Sequence, residues 1–441
     1  MNNILLNKSK ELLNYITNNS EFEYCFNNYK NNNLLKLKDF INIVKFAKYR
    51  ELNENLKITI INDLDIIYNY NDNNLNSYRI TISDLKNINN IINNLKNRNN
   101  SIIFSVLISK LINNENNISI IEKIKNSKYK FDYDLYDIRL RLSEEKQVDK
   151  SVFDKLKNLK NINHKISFRF KQRINLIIEK NNDYIINLDL TEVKLSNNIN
   201  EILNEVSKYE VELDMTILNK NNVIKDKDKI TDKLINEIIN IKKVLESNYY
   251  LIDQKIKEDV VKNYKKILNI EKDNKLYSMN VVSLQSENIL DNLITNYSVT
   301  DKADGDRYNL VIFNNNIYLI SSNFDVKFTN ISIKNKEYNN TIIDGELVYL
   351  DNKYLFTAFD ILYYKNKDVK SEILLEKRLE YLDDVLQNEL NKELKFDKFT
   401  SKYNIKNILE YNTKNLNLYL NNINTLKKIK INLYLQENII C

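Results

Sequence analysis

The chemistry most legible in this 441-residue chain is a lysine among aspartates beside a scarce glycine, in Thr300-Asp301-Lys302-Ala303-Asp304-Gly305-Asp306-Arg307. A lysine attacks phosphorus only as the free amine, so burial or neighbouring cations would have to lower its pKa. Arg307 can grip ribose or phosphate oxygens, and Gly305 would let the backbone turn tightly beside a nucleotide. A second cluster, Ile343-Asp344-Gly345-Glu346-Leu347, ends an apolar strand-like run. Its carboxylates could ligate Mg²⁺ or accept hydrogen bonds from ribose hydroxyls. Gly305 and Gly345 are the only two glycines, and Pro and Trp are absent. Glycine that survives such compositional drift marks a backbone position unable to accept a Cβ.

The first half offers a different set. Glu21-Phe22-Glu23-Tyr24 and Glu210-Val211-Glu212-Leu213 each place two carboxylates on one face of a strand. Between them run basic strands: Arg79 in residues 77–82, Arg139 and Arg141 in 136–143, Arg169, Lys171 and Arg173 in 167–173, and Lys194 in 192–194. Any one such strand fits a half-solvated sheet. Closed into a barrel with charges inward, the set would oppose a carboxylate cluster to a cationic lining. Carboxylates would collect a hard divalent cation, and Arg and Lys would hold a polyphosphate, Arg bidentately.

These residues need elements to position them. Residues 7–18, 34–49 and 83–95 read as helices, 21–26 and 77–82 as strands, and 102–112 as either helix or buried strand. Ile230, Leu234, Ile238, Ile241 and Leu245, then Val260, Tyr264, Ile267 and Ile270, mark two amphipathic helices that join the halves or open the second. In the second half, 308–313, a turn at 314–316 and 317–321 read as a hairpin, and 356–362 as a strand ending near an acid. Asn-rich runs replace Gly and Pro in turns, because Asn tolerates the left-handed region. Hydrophobic content of 43% with 10% aromatics argues for packed domains despite the asparagines. Cys25 and Cys441 stand far apart and His164 is the lone histidine, which speaks against structural zinc, a disulfide framework and any histidine-pair mechanism. A net charge of +6 permits RNA or nucleotide binding without demanding it. No apolar run spans a bilayer, so a cytoplasmic, membrane-free protein is expected.

The first-half pattern resembles the triphosphate tunnel metalloenzymes, the RNA triphosphatases of fungal and poxvirus-type capping enzymes. The resemblance implies metal ligation (Mg²⁺ or Mn²⁺) by Glu21, Glu23, Glu210 and Glu212. It implies phosphate contacts from Arg139 and Arg141, with Arg79, Arg169, Lys171 and Lys194 carried over on strand context alone. Lys-x-Asp-Gly-x-Arg resembles motif I of the covalent nucleotidyltransferases, the mRNA guanylyltransferases and polynucleotide ligases, and Asp344–Val348 resembles their motif IIIa. Lys302 would then form a phosphoramidate with GMP taken from GTP, with Asp304, Gly305, Arg307, Asp344 and Glu346 around the nucleotide. The wording is most similar to poxvirus-type capping enzyme large subunits and their relatives on cytoplasmic linear plasmids. That implies 5′-triphosphate RNA as substrate, a methyltransferase-stimulating small subunit as a partner, and packaging in a virion as a further location.

The expected architecture is α+β: an antiparallel β tunnel with helices over residues 1–225, then a partial, ligase-like nucleotidyltransferase domain over 226–441. The second domain departs from the pattern. No glycine follows Gly345, so motif IV in its usual form is absent. Leu426-Lys427-Lys428-Ile429-Lys430 reads as a solvated lysine run rather than motif V, and no OB-like strand set or methyltransferase region follows. A truncated, split or decayed chain is expected. Two alternatives to capping stay open: an ATP-dependent polynucleotide ligase, and a triphosphatase-only or non-catalytic remnant that binds RNA or a partner subunit.

Overall fold

The computed structural model describes residues 2–18, 20–26, 35–70, 76–113, 117–159, 162, 165–270, 276–277, 304–350, 353–390 and 429–433. Lys302, His164, Cys441 and residues 281–284, 297–303 and 426–428 lie outside this set. Two compact units divide between Ser247 and Asn248.

In the first unit eight strands close into a barrel: β1 (Ser20–Phe26), β2 (Lys57–Asn69), β3 (Asn76–Ser83), β4 (Ile118–Tyr133), β5 (Ile138–Gln147), β6 (Ile166–Lys180), β7 (Tyr184–Ser196) and β8 (Lys208–Ile217). Their order is β1-β5-β4-β3-β2-β6-β7-β8, and every neighbouring pair is antiparallel. Strand alternation sends polar residues inward and apolar residues outward, so the hydrophobic cores lie outside the barrel wall. One forms where Phe22, Tyr24, Leu140, Leu188 and Leu213 meet α1 (Asn2–Leu12), α2 (Leu37–Asn53) and, late in the unit, residues 230–244. The other forms where Leu64, Ile66, Ile80, Ile82 and Phe168 meet α3 (Leu85–Leu95), α4 (Asn100–Ile112) and α5 (Phe153–Lys157).

The helices follow from spacing and caps. In α3, Ile88, Ile91, Ile92 and Leu95 make one buried stripe, and the Asp84 carboxylate accepts from Lys86 N at the N-terminus. Residues 102–112 resolve as helix α4: Asn99 caps it from outside, and Ile103, Phe104, Leu107, Ile108 and Leu111 are buried. A short α6 (Lys220–Lys225) leads into α7 (Lys227–Leu245). α7 belongs to the first unit, not to a connector or the second half, because its Ile230, Leu234, Ile238 and Ile241 pack into the barrel's outer core. A buried fork from Arg50 to Glu237 (2.6 and 3.2 Å) ties it to α2. The division therefore lies at 247/248 rather than the expected 225/226. β2 and β4 are strands beyond those read from the sequence.

The second unit is an antiparallel sheet: β9 (Asp306–Phe313), β10 (Asn316–Ser321), β11 (Val326–Ser332), β12 (Thr341–Leu350), β13 (Lys353–Tyr364), β14 (Lys367–Asp368) and β15 (Ile429–Leu433). The order is β11-β10-β9-β12-β13-β14, with β15 also paired to β13. α8 (Gln254–Ile267) covers one face through Val260 and Tyr264, and α9 (Leu375–Val385) covers the other through Leu382 and Val385. Among the described residues no helix is long and apolar enough to cross a membrane.

Asparagine takes the left-handed positions, as at Asn314 (φ 47°) and Asn315 (φ 63°) in the β9–β10 turn. Neither glycine has positive φ. A Cβ on Gly305 would meet Leu347 O at 2.6 Å, and one on Gly345 would meet Phe356 Cζ at 2.5 Å and Thr357 O at 2.6 Å. Gly305 thus serves close strand approach rather than a tight turn, and Asp344–Glu346 lies mid-strand in β12 rather than at its end. Gly345→Ala should destabilise the second unit by about 1–3 kcal/mol, the range for overpacking a close-packed site. Urea unfolding monitored in that unit tests this; an unchanged midpoint would mean that the sheet opens freely to admit the methyl group.

Candidate active sites

Inside the barrel, β1 contributes Glu21 and Glu23, and β8 contributes Glu210, Glu212 and Asp214. Register sets Glu23 against Asp214 and Cys25 against Glu212. The opposing cations pair with these acids directly. Lys123 on β4 donates to Glu21 (2.5 Å) and lies 3.1 Å from Glu145 and 3.7 Å from Glu23. Arg141 forks onto Glu23 and reaches Glu212 at 3.0 Å, while Arg169 pairs with Glu210. Arg173 meets Asp189 at 2.5 Å, and Lys171 meets Asp65 at 2.9 Å. Arg139, register partner of Cys25, is forked onto Asp132 (2.5 and 3.2 Å).

Burial alone would push the Lys123 ammonium down, but Glu21, Glu23 and Glu145 reverse this and hold it above its ordinary value. Asp214 moves the other way: burial, then Asp189, Glu21 and Glu23, push its carboxyl well above the carboxylate range. Arg79 Nε and Asp214 Oδ1 are among the buried atoms that lack a hydrogen-bond partner. One is a donor suited to a phosphate oxygen; the other is a hard oxygen suited to a divalent cation. Among the described residues no three carboxylates converge at metal-ligating geometry, because Lys123, Arg141 and Arg169 engage them instead. In chemistry the donor set is all oxygen, the kind a hard divalent cation takes, and it includes the unpartnered Asp214 Oδ1.

In the second unit, Arg307 on β9 forks onto Asp344 on β12 (Nε–Oδ1 3.1 Å, Nη2–Oδ2 2.5 Å) and lies over the Phe359 ring at 5.3 Å. Asp344 is fully buried; burial raises its carboxyl pKa, and Arg307 opposes that. The Gly305 amide donates to Glu346 Oε2 (3.2 Å), and Asp304 is exposed beside it. Register places Arg307, Glu346, Thr357 and Lys430 in one row across β9, β12, β13 and β15. Lys430, read as part of a solvated run, is therefore a strand residue on this row. Asp360, behind the row, is forked by the buried Arg378 (2.8 and 3.2 Å).

Residues 247–435 match the family model of the mRNA capping enzyme catalytic domain. That match spans the whole of the second site. Over 421 residues the chain is 29% identical to a protein of Acanthamoeba polyphaga mimivirus named as a probable mRNA-capping enzyme, covering 94% of this chain and 32% of the mimivirus protein. Among solved structures, the RNA triphosphatase domain of a trifunctional mimivirus mRNA capping enzyme is similar at 24% identity and a TM-score of 0.40, covering 54% of this chain and 95% of that one. The S. pombe Pct1 RNA triphosphatase, in complex with the Spt5 CTD, is similar at 12% identity and a TM-score of 0.31, covering 55% and 88%.

Of the residues singled out in the sequence, Glu21, Glu23, Glu210, Glu212, Arg79, Arg141, Arg169 and Lys171 line one interior. Arg139 shares that face at the Asp132 end. Lys194 does not. It pairs with Phe170 on the outer face, half-buried, and its Nζ donates to the Leu203 carbonyl at 2.6 Å. Strand alternation puts Lys194, three residues beyond Thr191 and five beyond Asp189, on the face opposite these two inward residues. Asp65, Lys123, Asp189 and Asp214 were not singled out; only the period-2 placement of Asp63 and Asp65 within an Ile-rich run could have signalled the first.

Asp65 tests the lattice. Burial alone would raise its carboxyl, yet Lys171, Arg79 and Arg169 hold it below the usual range. A carboxylate depressed in the fold contributes stability above its unfolded pKa of about 3.9, and that stability is lost as pH falls through the lower folded value. Asp65→Asn should cost about 3–5 kcal/mol at pH 7, since it strands Lys171 without its buried counter-ion. The difference from wild type should stay flat from about pH 8 to 5 and shrink only below about 4. Urea midpoints across that range test it; a gap already closing by pH 5 would show that Asp65 is not held ionised.

Proposed function

We propose that this chain is a bifunctional mRNA 5′-capping enzyme of the poxvirus type, acting on 5′-triphosphate RNA and GTP. The observation that carries the reading is one chain holding both a barrel lined with opposed charges and a strand in which Arg307, five residues after Lys302 in the sequence, pairs with Glu346. The barrel unit is the RNA triphosphatase. Arg79, Lys123, Arg141, Arg169, Lys171 and Arg173 bind and orient the polyphosphate, with Arg139 at the Asp132 end. Glu21, Glu23, Glu210 and Glu212, with Asp214 beside them, would hold Mg²⁺ or Mn²⁺. When bound, the cation supplies neutralisation of the terminal phosphate and an activated water. Lys194 has no part.

The unit after Ser247 is the guanylyltransferase. The Lys302 amine attacks the α-phosphorus of GTP, a P–N bond forms and pyrophosphate leaves; the RNA diphosphate end then takes GMP and frees the amine. Arg307, Glu346 and the backbone at Asp304 and Gly305 hold the nucleotide. Asp344 acts here by holding Arg307, not as a metal ligand. A methyltransferase-stimulating small subunit is a proposed partner, and the cytoplasm, including virions assembled there, is the proposed location.

Incubation with α-labelled GTP or ATP and divalent metal, then a denaturing gel, should give a GTP-derived label that falls to background in Lys302→Ala. Label from ATP alone would replace capping with ligation. In parallel, Arg141→Ala should slow γ-phosphate release from triphosphate RNA by about 10²–10³-fold, the scale for losing one preorganised charge-stabilising donor. Release at the wild-type rate would sink the barrel assignment.

A further inference from the structure

Arg307 does not stand alone in the second unit; a buried polar chain runs from it to α8. Asp344, forked by Arg307, also accepts from Asn309 Nδ2 (3.0 Å). Asn309 Oδ1 accepts from the Tyr264 hydroxyl (2.6 Å), and the Tyr264 oxygen accepts from the Tyr277 amide (3.0 Å). Tyr264, Asn309 and Asp344 are each fully buried. They cross a layer otherwise built from Val260, Val311, Ile320, Ile342 and Leu362. The Tyr264 hydroxyl, both ends of the Asn309 amide and Asp344 Oδ1 each have a partner along this path, and a polar chain through an apolar layer depends on such partners. Packing alone needs only a phenyl ring at 264.

We infer that Tyr264 and Asn309 are positioning residues that orient Arg307 for the nucleotide. This rests on the nucleotidyltransferase reading of the unit. Asn309 fixes the rotamer of Asp344, because its amide occupies the Oδ1 that Arg307 Nε also uses. Asp344 in turn commits Nε and Nη2 of Arg307, and leaves Nη1 outside the fork on a side chain that stays 30% exposed. Asp344, which only accepts, takes the Nδ2 end of the Asn309 amide, and the Tyr264 hydroxyl holds the Oδ1 end. Without the hydroxyl, Asn309 Oδ1 is left buried and unpaired, the amide is free to tilt away from the carboxylate, and the guanidinium loses its fixed plane. Tyr264 touches no reacting atom; it acts through Arg307.

The test uses the full-length chain with ¹⁵N-labelled arginine and Tyr264→Phe. The Nε–H signal of Arg307, identified by its loss in Arg307→Lys, should exchange slowly with water in the wild type and about 10-fold faster or more in Tyr264→Phe, the scale of one buried hydrogen bond left unmade. In lysyl-guanylate formation the KM for GTP should rise by a similar factor, about 10-fold, with the saturated rate within about twofold. A Tyr264→Phe protein with wild-type exchange and wild-type KM overturns the inference, as does a fall in the saturated rate at unchanged KM. If Tyr264→Phe fails to fold, Asn309→Ser carries the same two measurements. A wild-type chain that forms no covalent nucleotide sinks the nucleotidyltransferase reading, while the exchange measurement still decides whether Tyr264 orients Arg307.

Discussion

Opposite charges enclosed within one β-barrel are the constraint on which the first unit rests. A buried ion pair repays its desolvation only with good geometry and further hydrogen bonds, and removing one partner strands the other. Lys123 shared among Glu21, Glu23 and Glu145, and Arg141 shared between Glu23 and Glu212, meet that condition by pooling charge rather than pairing it singly. Once the interior is ionic, the apolar side of every strand must face outward. The helices therefore become obligatory: without α1, α2 and α7 on one flank and α3 to α5 on the other, Phe22, Tyr24, Phe168 and their neighbours would face water. Each such side chain left exposed would forfeit about 1.5–3 kcal/mol.

The second unit solves a related problem with fewer charges. Two aspartates, Asp344 and Asp360, are buried near one row of the sheet, and each is forked by an arginine, Arg307 or Arg378. Arg378 is itself buried and simply closes its pair. Arg307 keeps one edge towards solvent. The same Asp–Arg device thus serves as a staple in one place and as a presented cation in the other, and burial decides between them.

Much of this was legible from alternation, because strands with one charged and one apolar face declare both their period and their orientation. β1, β5, β6 and β8 were readable on that ground. β2 was not, because Ile60, Ile61, Ile66 and Ile67 place apolar residues on both faces and hide Asp63 and Asp65. Lys194 misled for the opposite reason: Glu192 and Lys194 alternate well, but on the wrong face, and register alone tells inward from outward. The glycines were rightly read as positions closed to a Cβ, but for a turn at Gly305 where the structure has strand contact. Turns had already been given to asparagine, which tolerates positive φ in a way a crowded strand interior cannot exploit. Asp344 read as a ligand, since nothing in a single sequence shows that Arg307 and Asn309 occupy both of its oxygens.

The pooled lattice also shapes how a polyanion can enter the barrel. Arg141, Arg169 and Arg173 are already spent on Glu23, Glu210 and Asp189, so a phosphate that draws on them must compete with a fixed carboxylate at each step. Arg79 differs, since its Nε is buried without a hydrogen-bond partner and its ion pairs to Asp65 and Glu145 are long, at 3.9 and 3.8 Å. A first phosphate oxygen at Arg79 satisfies an orphaned donor and breaks no short contact. The interior is thus graded, from a cation that gains by binding to cations that must exchange one anion for another, and that gradient favours groups able to reach several cations at once. A chain of linked phosphates reaches further between cations than a single carboxylate or sulfate can.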